Sequence, residues 1–246
     1  MSGLPWIPAD DFTPFPDPAS ALREPDGLLA AGGRLSSARL RTAYRQGIFP
    51  WFSEGQPILW WTPDPRAVLF PQELRISRSL RKTLRKTPDN GGFRITLDTA
   101  FAAVIDACAQ PRPEQEGTWI TRDMKQAYVR LHREGVAHSA EAWRGDELAG
   151  GLYGLAIGQV FFGESMFTRK RDASKVAFAH LVTQLQAWGY RLIDCQVQSD
   201  HLTSLGARSI RRAEFNALLD LHCALPGRPG AWTIDIKTHP WDPRVT

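Results

Sequence analysis

From Arg66 onward, short apolar or alternating runs take turns with runs in which apolar residues recur every three or four positions. The first kind predicts strands and the second helices. "AVLF" and "FRITLD" read as strands, with a short helix, "SRSLRKTLRKT", between them. Two helices follow, "TAFAAVIDACA" and "RDMKQAYVRLHREG", and Gly135 closes the second. His138 to Phe167 holds three strand-like pieces, with turns at "RGDE" and near Gly158. Phe178, Leu181, Val182 and Leu185 mark the buried stripe of a helix from Ser174 to Trp188. "RLIDCQVQ" is then a strand, "HLTSLGA" a turn of helix and "RAEFNALLDLHCAL" a last helix.

The chain before Arg66 is less periodic. Residues 1 to 33 are rich in Pro, Asp and Gly and read as an irregular lead. A short helix follows, capped by Ser36 or Ser37, with Leu40 and Tyr44 on one face and Gly47 at its end. Pro63 and Pro65 interrupt any regular element. The boundary between a small N-terminal α+β domain, 1–65, and a larger domain, 66–246, is expected there. The element order implies a mixed α/β, α+β class, in an arrangement suited to an acyltransferase-type sheet. Ligands would meet it at the strand ends.

Composition narrows the classes. Of the 246 residues, 43% are hydrophobic, an ordinary globular share. The apolar runs fall short of the roughly 18–20 residues of a membrane span, so no membrane role is expected. "MSGLPWIPADDF" lacks the basic and apolar regions of a secretory signal. Cys108, Cys195 and Cys223 are widely spaced and odd in number. That disfavours disulfides and a metal centre, and fits a reducing cytoplasm. The net charge is +4, but Arg66, Arg75, Arg78, Arg81, Lys82, Arg85 and Lys86 cluster against one acid, Glu73. Arg78, Arg81, Lys82 and Arg85 share one side of the short helix, opposite Leu80 and Leu84. Nucleic acid suits such a patch; for a lone charge run a solvated helix face is the favoured explanation.

Two polar interruptions carry the candidate chemistry. In "LIDCQVQ", regular alternation puts Leu192, Asp194, Gln196 and Gln198 on one face and Ile193, Cys195 and Val197 on the other. Asp194 and Gln196 would be neighbours roughly 7 Å apart, able to hold one ligand. In "VFFGESMF", Glu164 shares a face with Phe162 and Met166 unless Gly163 introduces a bulge. A buried carboxylate satisfied by backbone donors or an arginine accounts for either acid alone. Other patterns are weaker. "GES" lacks the second glycine of a nucleophile elbow. Asp200, His201 and Ser204 suggest a triad, but adjacent Asp and His cannot readily make the orienting bond. No zinc-ligand spacing and no glycine-rich phosphate loop is present; the turn after "ESMF" reads "TRKRDASK".

Taken together, "FPDPASALREPDGLLAAGG", "YRQGIFPWFS", "ILWWTPDPRAVLFP", "EGTWIT", "FFGESMF", "ASK" and "LIDCQVQSDHLTSLGA" resemble the leucyl/phenylalanyl-tRNA–protein transferases, in order from about Phe15 to Leu219. The resemblance implies a cytoplasmic enzyme that moves leucine or phenylalanine, less readily methionine, from aminoacyl-tRNA onto the α-amino group of proteins beginning with Arg or Lys, marking them for N-end-rule degradation. It implies an acetyltransferase-like (GNAT-like) C-terminal domain and no metal or CoA. By motif match, Asp194 and Gln196 would be the catalytic pair, and Glu164 would hold the aminoacyl α-amino group. Trp51, Trp119, Leu152, Phe161, Met166 and Ile193 would surround the amino acid and terminal adenosine. Because alternation sets Ile193 and Asp194 on opposite faces, both can line one cavity only where the strand ends or bends. A CoA-dependent acetyltransferase and a non-catalytic RNA-binding protein are the rival readings.

Overall fold

The computed structural model describes residues 3–111, 118–236 and 241. Glu116 and Gly117 of "EGTWIT" lie outside that set. Among the described residues the chain forms a mixed α and β structure with two sheets and seven α-helices.

The first sheet has four short strands in the order β1 (Trp6–Ile7), β2 (Leu28–Gly32), β4 (Leu59–Trp61) and β3 (Phe49–Pro50). The lead expected to be irregular thus supplies two strands. Turn formers flank "LLAAG" and mask it, yet its small residues let it pack between β1 and β4, with Ala30 fully buried. Trp60 anchors this layer: its indole N–H donates to the Gly32 carbonyl at 2.9 Å, and Phe15 meets its ring edge-on. Helix α1 (Ser37–Arg45) is capped as expected. Ser36 Oγ accepts the Arg39 amide, and Gly47 turns the chain at φ 72°.

The second sheet has seven strands in the order β11 (Arg208–Ile210), β5 (Arg66–Leu69), β10 (Leu192–Gln196), β9 (Val160–Thr168), β8 (Glu147–Ile157), β7 (Ala137–Arg144) and β6 (Arg94–Leu97). The three-residue β11 was not expected; it is too short for a period to show. Helices α3 (Phe101–Cys108) and α4 (Arg122–Arg133) pack with α1 on one face. The other face is covered by α5 (Ala173–Ala187) with α2 (Arg78–Leu84). The stretch past α7 (Arg212–His222) returns to this second face, where Trp232 is 1% exposed. No described helix is long and apolar enough to cross a membrane.

One pair in this sheet differs from its neighbours. β9 and β10 run parallel from Leu192–Val160 to Asp194–Phe162, whereas the other described pairings are antiparallel. Just beyond that point both strands lose register with their outer neighbours. Ser165 pairs with Tyr153 but Gly163 with Gly154, so Glu164 is an extra residue in β9. Asp194 pairs with Val68 but Gln196 with Ala67, so Cys195 is an extra residue in β10.

Candidate active site

The site grows from those two bulges. A bulge inserts an unpaired residue, bends its strand and re-aims the side chains beyond it. Gly154 makes the first possible: a Cβ there would lie 2.2 Å from the Phe162 carbonyl oxygen of the crossing strand. The shared face expected for Phe162, Glu164 and Met166 is therefore broken. Phe162 lies under α1, its ring 5.2 Å from Tyr44, while Met166 is opposite Leu152 and packs against the α5 layer. Glu164 follows Phe162 toward α1 and α4.

There its carboxylate collects donors from three elements. Tyr44 Oη donates to Oε1 at 2.7 Å, Tyr128 Oη to Oε2 at 2.9 Å, and Gln196 Nε2 to Oε1 at 2.9 Å. The two phenol oxygens also touch, and with one proton each they serve between them the three contacts among Tyr44, Tyr128 and Glu164. A carboxylate offers about four acceptor sites, so one stays open. Burial pushes the Glu164 carboxyl up to about 7, partly opposed by the two phenol hydrogen bonds. Burial and the Glu164 charge hold both tyrosines well above the ordinary phenol range, so they remain neutral donors.

Asp194 behaves differently from what alternation suggests. Its carboxylate has no exposure and is gripped by Arg66, Nε to Oδ1 at 2.8 Å and Nη2 to Oδ2 at 2.7 Å. Oδ1 also accepts the Gln196 backbone N–H at 2.9 Å. Gln196 itself has φ 62°, in the left-handed region uncommon for a residue with a side chain. The bulge at Cys195 thus turns the Gln196 side chain to Glu164, while the Asp194 side chain turns to Arg66. The two side chains do not flank one ligand, and their link is a backbone hydrogen bond. Arg66, counted with the basic run, is 1% exposed and lost to any surface patch. Its guanidinium lies over the rings of Phe49, 4.8 Å from the centroid, and Phe215, 4.7 Å.

Two cavities meet at Glu164. One, of about 730 Å³, is walled by Leu152, Met166, Phe178, Ile193 and Leu202. The other, about 970 Å³, is walled by Trp51, Trp119, Gln196 and Val197. Glu164 and Cys108 belong to both. Ile193, Asp194 and Cys195 line the first in succession, which a regular strand does not permit; the bulge is the bend this requires. Phe161 does not join them. It is 1% exposed, lines neither cavity and packs with its ring 6.0 Å from that of Trp232.

Of the expected tRNA-binding residues, Arg78, Arg81 and Lys82 project from α2, whose Leu80 and Leu84 are buried. Arg85 sits just past the helix, and its Nε donates to the Trp241 carbonyl at 3.0 Å. Thr83 Oγ1 ties α2 to Asp172, at the start of α5, at 3.2 Å. Ser204 Oγ donates to the His201 carbonyl within α6 (Asp200–Ser204), a local turn bond unlike a triad. Among the described residues, no group of three His, Cys, Asp or Glu is gathered for a metal ion. Reading the sequence missed Tyr44, Tyr128 and Arg66. Only Tyr44 carried a signal, as a helix-face residue, and none of the three announces its distant partner.

Comparison with known proteins ends in one place. The family profile described as leucyl/phenylalanyl-tRNA protein transferase matches residues 68–220, and the one for its N-terminal domain matches residues 33–64. A leucyl/phenylalanyl-tRNA–protein transferase of Ectopseudomonas mendocina is 61% identical over 225 residues, covering 92% of this chain and 97% of that one. One of Methylococcus capsulatus is 59% identical over 225 residues, 92% and 94% of the two chains. One of Hahella chejuensis is 56% identical over 236 residues, 96% and 98%.

Proposed function

The chain belongs to the leucyl/phenylalanyl-tRNA protein transferase family, and on that premise we propose how this aminoacyltransferase works. It transfers leucine or phenylalanine, less readily methionine, from aminoacyl-tRNA to the α-amino group of proteins that begin with Arg or Lys. It acts in the cytoplasm, and its products enter N-end-rule degradation. The observation that carries this reading is the meeting of two cavities at Glu164, which the Gln196 side chain of the larger cavity hydrogen-bonds.

The aminoacyl side chain enters the apolar cavity between Leu152, Met166 and Ile193. The terminal adenosine lies against Trp51 and Trp119. The open acceptor site of Glu164 takes the aminoacyl ammonium. Because Gln196 Nε2 is committed to Glu164, its Oε1 is the acceptor for an N–H of the incoming amine. The amine nitrogen attacks the ester carbonyl carbon, the bond to the ribose oxygen breaks, and the proton lost from nitrogen ends on that ribose hydroxyl. The ester is already activated, so the step needs no further energy source. Asp194 acts on Gln196, whose backbone it anchors. α2 offers Arg78, Arg81 and Lys82 to tRNA phosphates, with Arg85 beside them.

The opening of β9 from β10 at the end of their parallel stretch supports an acetyltransferase-like fold for residues 66–246, with 1–65 as the N-terminal domain. The test is incubation with labelled leucyl-tRNA and an Arg-initiated peptide, with and without CoA. Label in the peptide without CoA is the expected result. Acetylation only with acetyl-CoA, or tRNA binding without transfer, overturns the reading in favour of a rival.

A further inference from the structure

We infer that Arg66 is a positioning residue for the transfer reaction: through Asp194 it fixes the left-handed backbone of Gln196 and so aims the Gln196 amide. The inference rests on the proposed function for its kinetic consequence, but not for its geometry.

The chain of contacts is continuous. The Arg66 fork meets both Asp194 oxygens, at 2.8 and 2.7 Å, and Oδ1 then accepts the Gln196 N–H at 2.9 Å. The Gln196 side chain ends on Glu164 at 2.9 Å. A glutamine at positive φ sits in a sparsely populated conformation that persists only where the surroundings hold it. Here the hold is the Asp194 bond, and the orientation of that carboxylate is set by a planar, bidentate partner. Lysine, a point charge, cannot reproduce such a fork.

Arg66 is braced in turn. Phe49 in β3 and Phe215 in α7 flank its guanidinium, and the residue that follows β3 by one step is Trp51, a wall of the larger cavity. One buried cation therefore ties the bulge that presents Gln196 to the strand that presents Trp51. With both members of the ion pair nearly unexposed, the Asp194 charge is spent on Arg66. What the reaction draws from the pair is geometry, so a neutral pair that keeps the hydrogen bonds should still serve.

The experiment uses the full-length chain. First, exchange of the Gln196 backbone amide is followed by NMR without substrate in the wild type and in Arg66→Lys. Exchange at least about 10-fold faster in the variant is expected, since the bond's acceptor is no longer held. Unchanged exchange overturns the inference whether or not the protein transfers leucine. Second, leucyl transfer kinetics are compared for Arg66→Lys, Asp194→Asn and the double variant Arg66→Gln/Asp194→Asn. Arg66→Lys should lower kcat about 10-fold or more with KM for leucyl-tRNA within about threefold, the pattern of a lost alignment. The double variant should recover to within about 10-fold of wild type, above Asp194→Asn alone, which leaves a buried arginine unpaired. A folded double variant as inactive as the single one overturns the inference, because the carboxylate charge itself would then be required. A wild type that transfers nothing counts against the proposed function alone, and the exchange result still decides for Arg66.

Discussion

Two carboxylates on the same sheet, one buried and one half-buried, serve opposite ends. Glu141 in β7 has no exposure and accepts from Ser139 Oγ at 2.5 Å, Thr96 Oγ1 at 2.5 Å and the Ala100 N–H at 3.4 Å. It is itself paired, opposite Thr96 on one side and Gly151 on the other, with the shift of the β7–β8 ladder falling past Ala142, and it lines neither cavity. Glu164 likewise has three donors, all of them side chains, but it is the extra residue of a bulge and borders both cavities. In sequence, "HSAEAW" and "FFGESMF" look alike: an acid among small or apolar residues. An acid in an apolar run is therefore a weak sign of function. What separates the two is the inserted residue, which sets one carboxylate at the border of two cavities.

The largest effect expected to test this contrast is on turnover. Glu164→Gln should lower kcat for leucyl transfer by about 10²–10⁴-fold, since the amide keeps the shape but cannot balance an ammonium. Glu141→Gln should leave kcat within about threefold. Comparable losses in both variants would falsify the division.

The next effect runs the other way. Glu141→Ala removes the acceptor of two hydroxyls and an amide N–H, and should cost about 2–4 kcal/mol in urea unfolding. The folded fraction should transfer at an unchanged rate. Equal damage to kcat would bring Glu141 into the site.

The two acids share a pH signature in stability and part in activity. Burial raises both carboxyls above their ordinary value, so in each case the folded state favours the proton. That preference stabilises fully below the unfolded value near 4.5 and is lost as pH rises through the folded one. For Glu164 the window runs from about 4.5 to about 7. Glu164→Gln should consequently be more stable than wild type at pH 8, by about 1–3 kcal/mol. Transfer moves oppositely, rising with pH through about 7 as Glu164 gains the charge that holds the ammonium. A stability difference that does not grow between pH 5 and pH 8 would show Glu164 to be ordinarily solvated.

The smallest effect lies outside both acids. Replacing Arg78, Arg81 and Lys82 by alanine should raise KM for leucyl-tRNA several-fold and leave kcat alone. Each lost phosphate contact should flatten the plot of log affinity against log salt by roughly 0.7–0.9. An unchanged slope would reduce α2 to a solvated face.

Much of the frame was legible. Ser36, Gly47 and Gly135 mark helix ends where caps and left-handed turns were required. The stretch from His138 to Phe167 shows its three strands because turns at "RGDE" and near Gly158 divide it into strand-like pieces. Asp194, Gln196 and Glu164 stood out as polar interruptions, and Gly163 hinted at a bulge. What periodicity cannot deliver is the bulge itself. An inserted residue leaves composition and local pattern intact while reversing every side chain beyond it. The misplacement of Asp194 relative to Gln196 and of Glu164 relative to Met166 both come from that. Long-range partners were equally hidden. Arg66 looked like one more cation in a basic run because its acceptor is 128 residues away. β2 escaped because glycines and prolines surround it, and β11 because three residues have no period to read.

The place of β5 in the sheet has a consequence for synthesis. β5 lies between β10 and β11, so its hydrogen-bonding partners on both sides are made long after it. With 128 residues between Arg66 and Asp194, a ribosome adding about 5–20 residues per second leaves β5 without a sheet for about 6–25 s. Throughout that interval Arg66 keeps its full hydration in place of a carboxylate. The charged head of β5 makes the waiting strand a poor template for stray pairing.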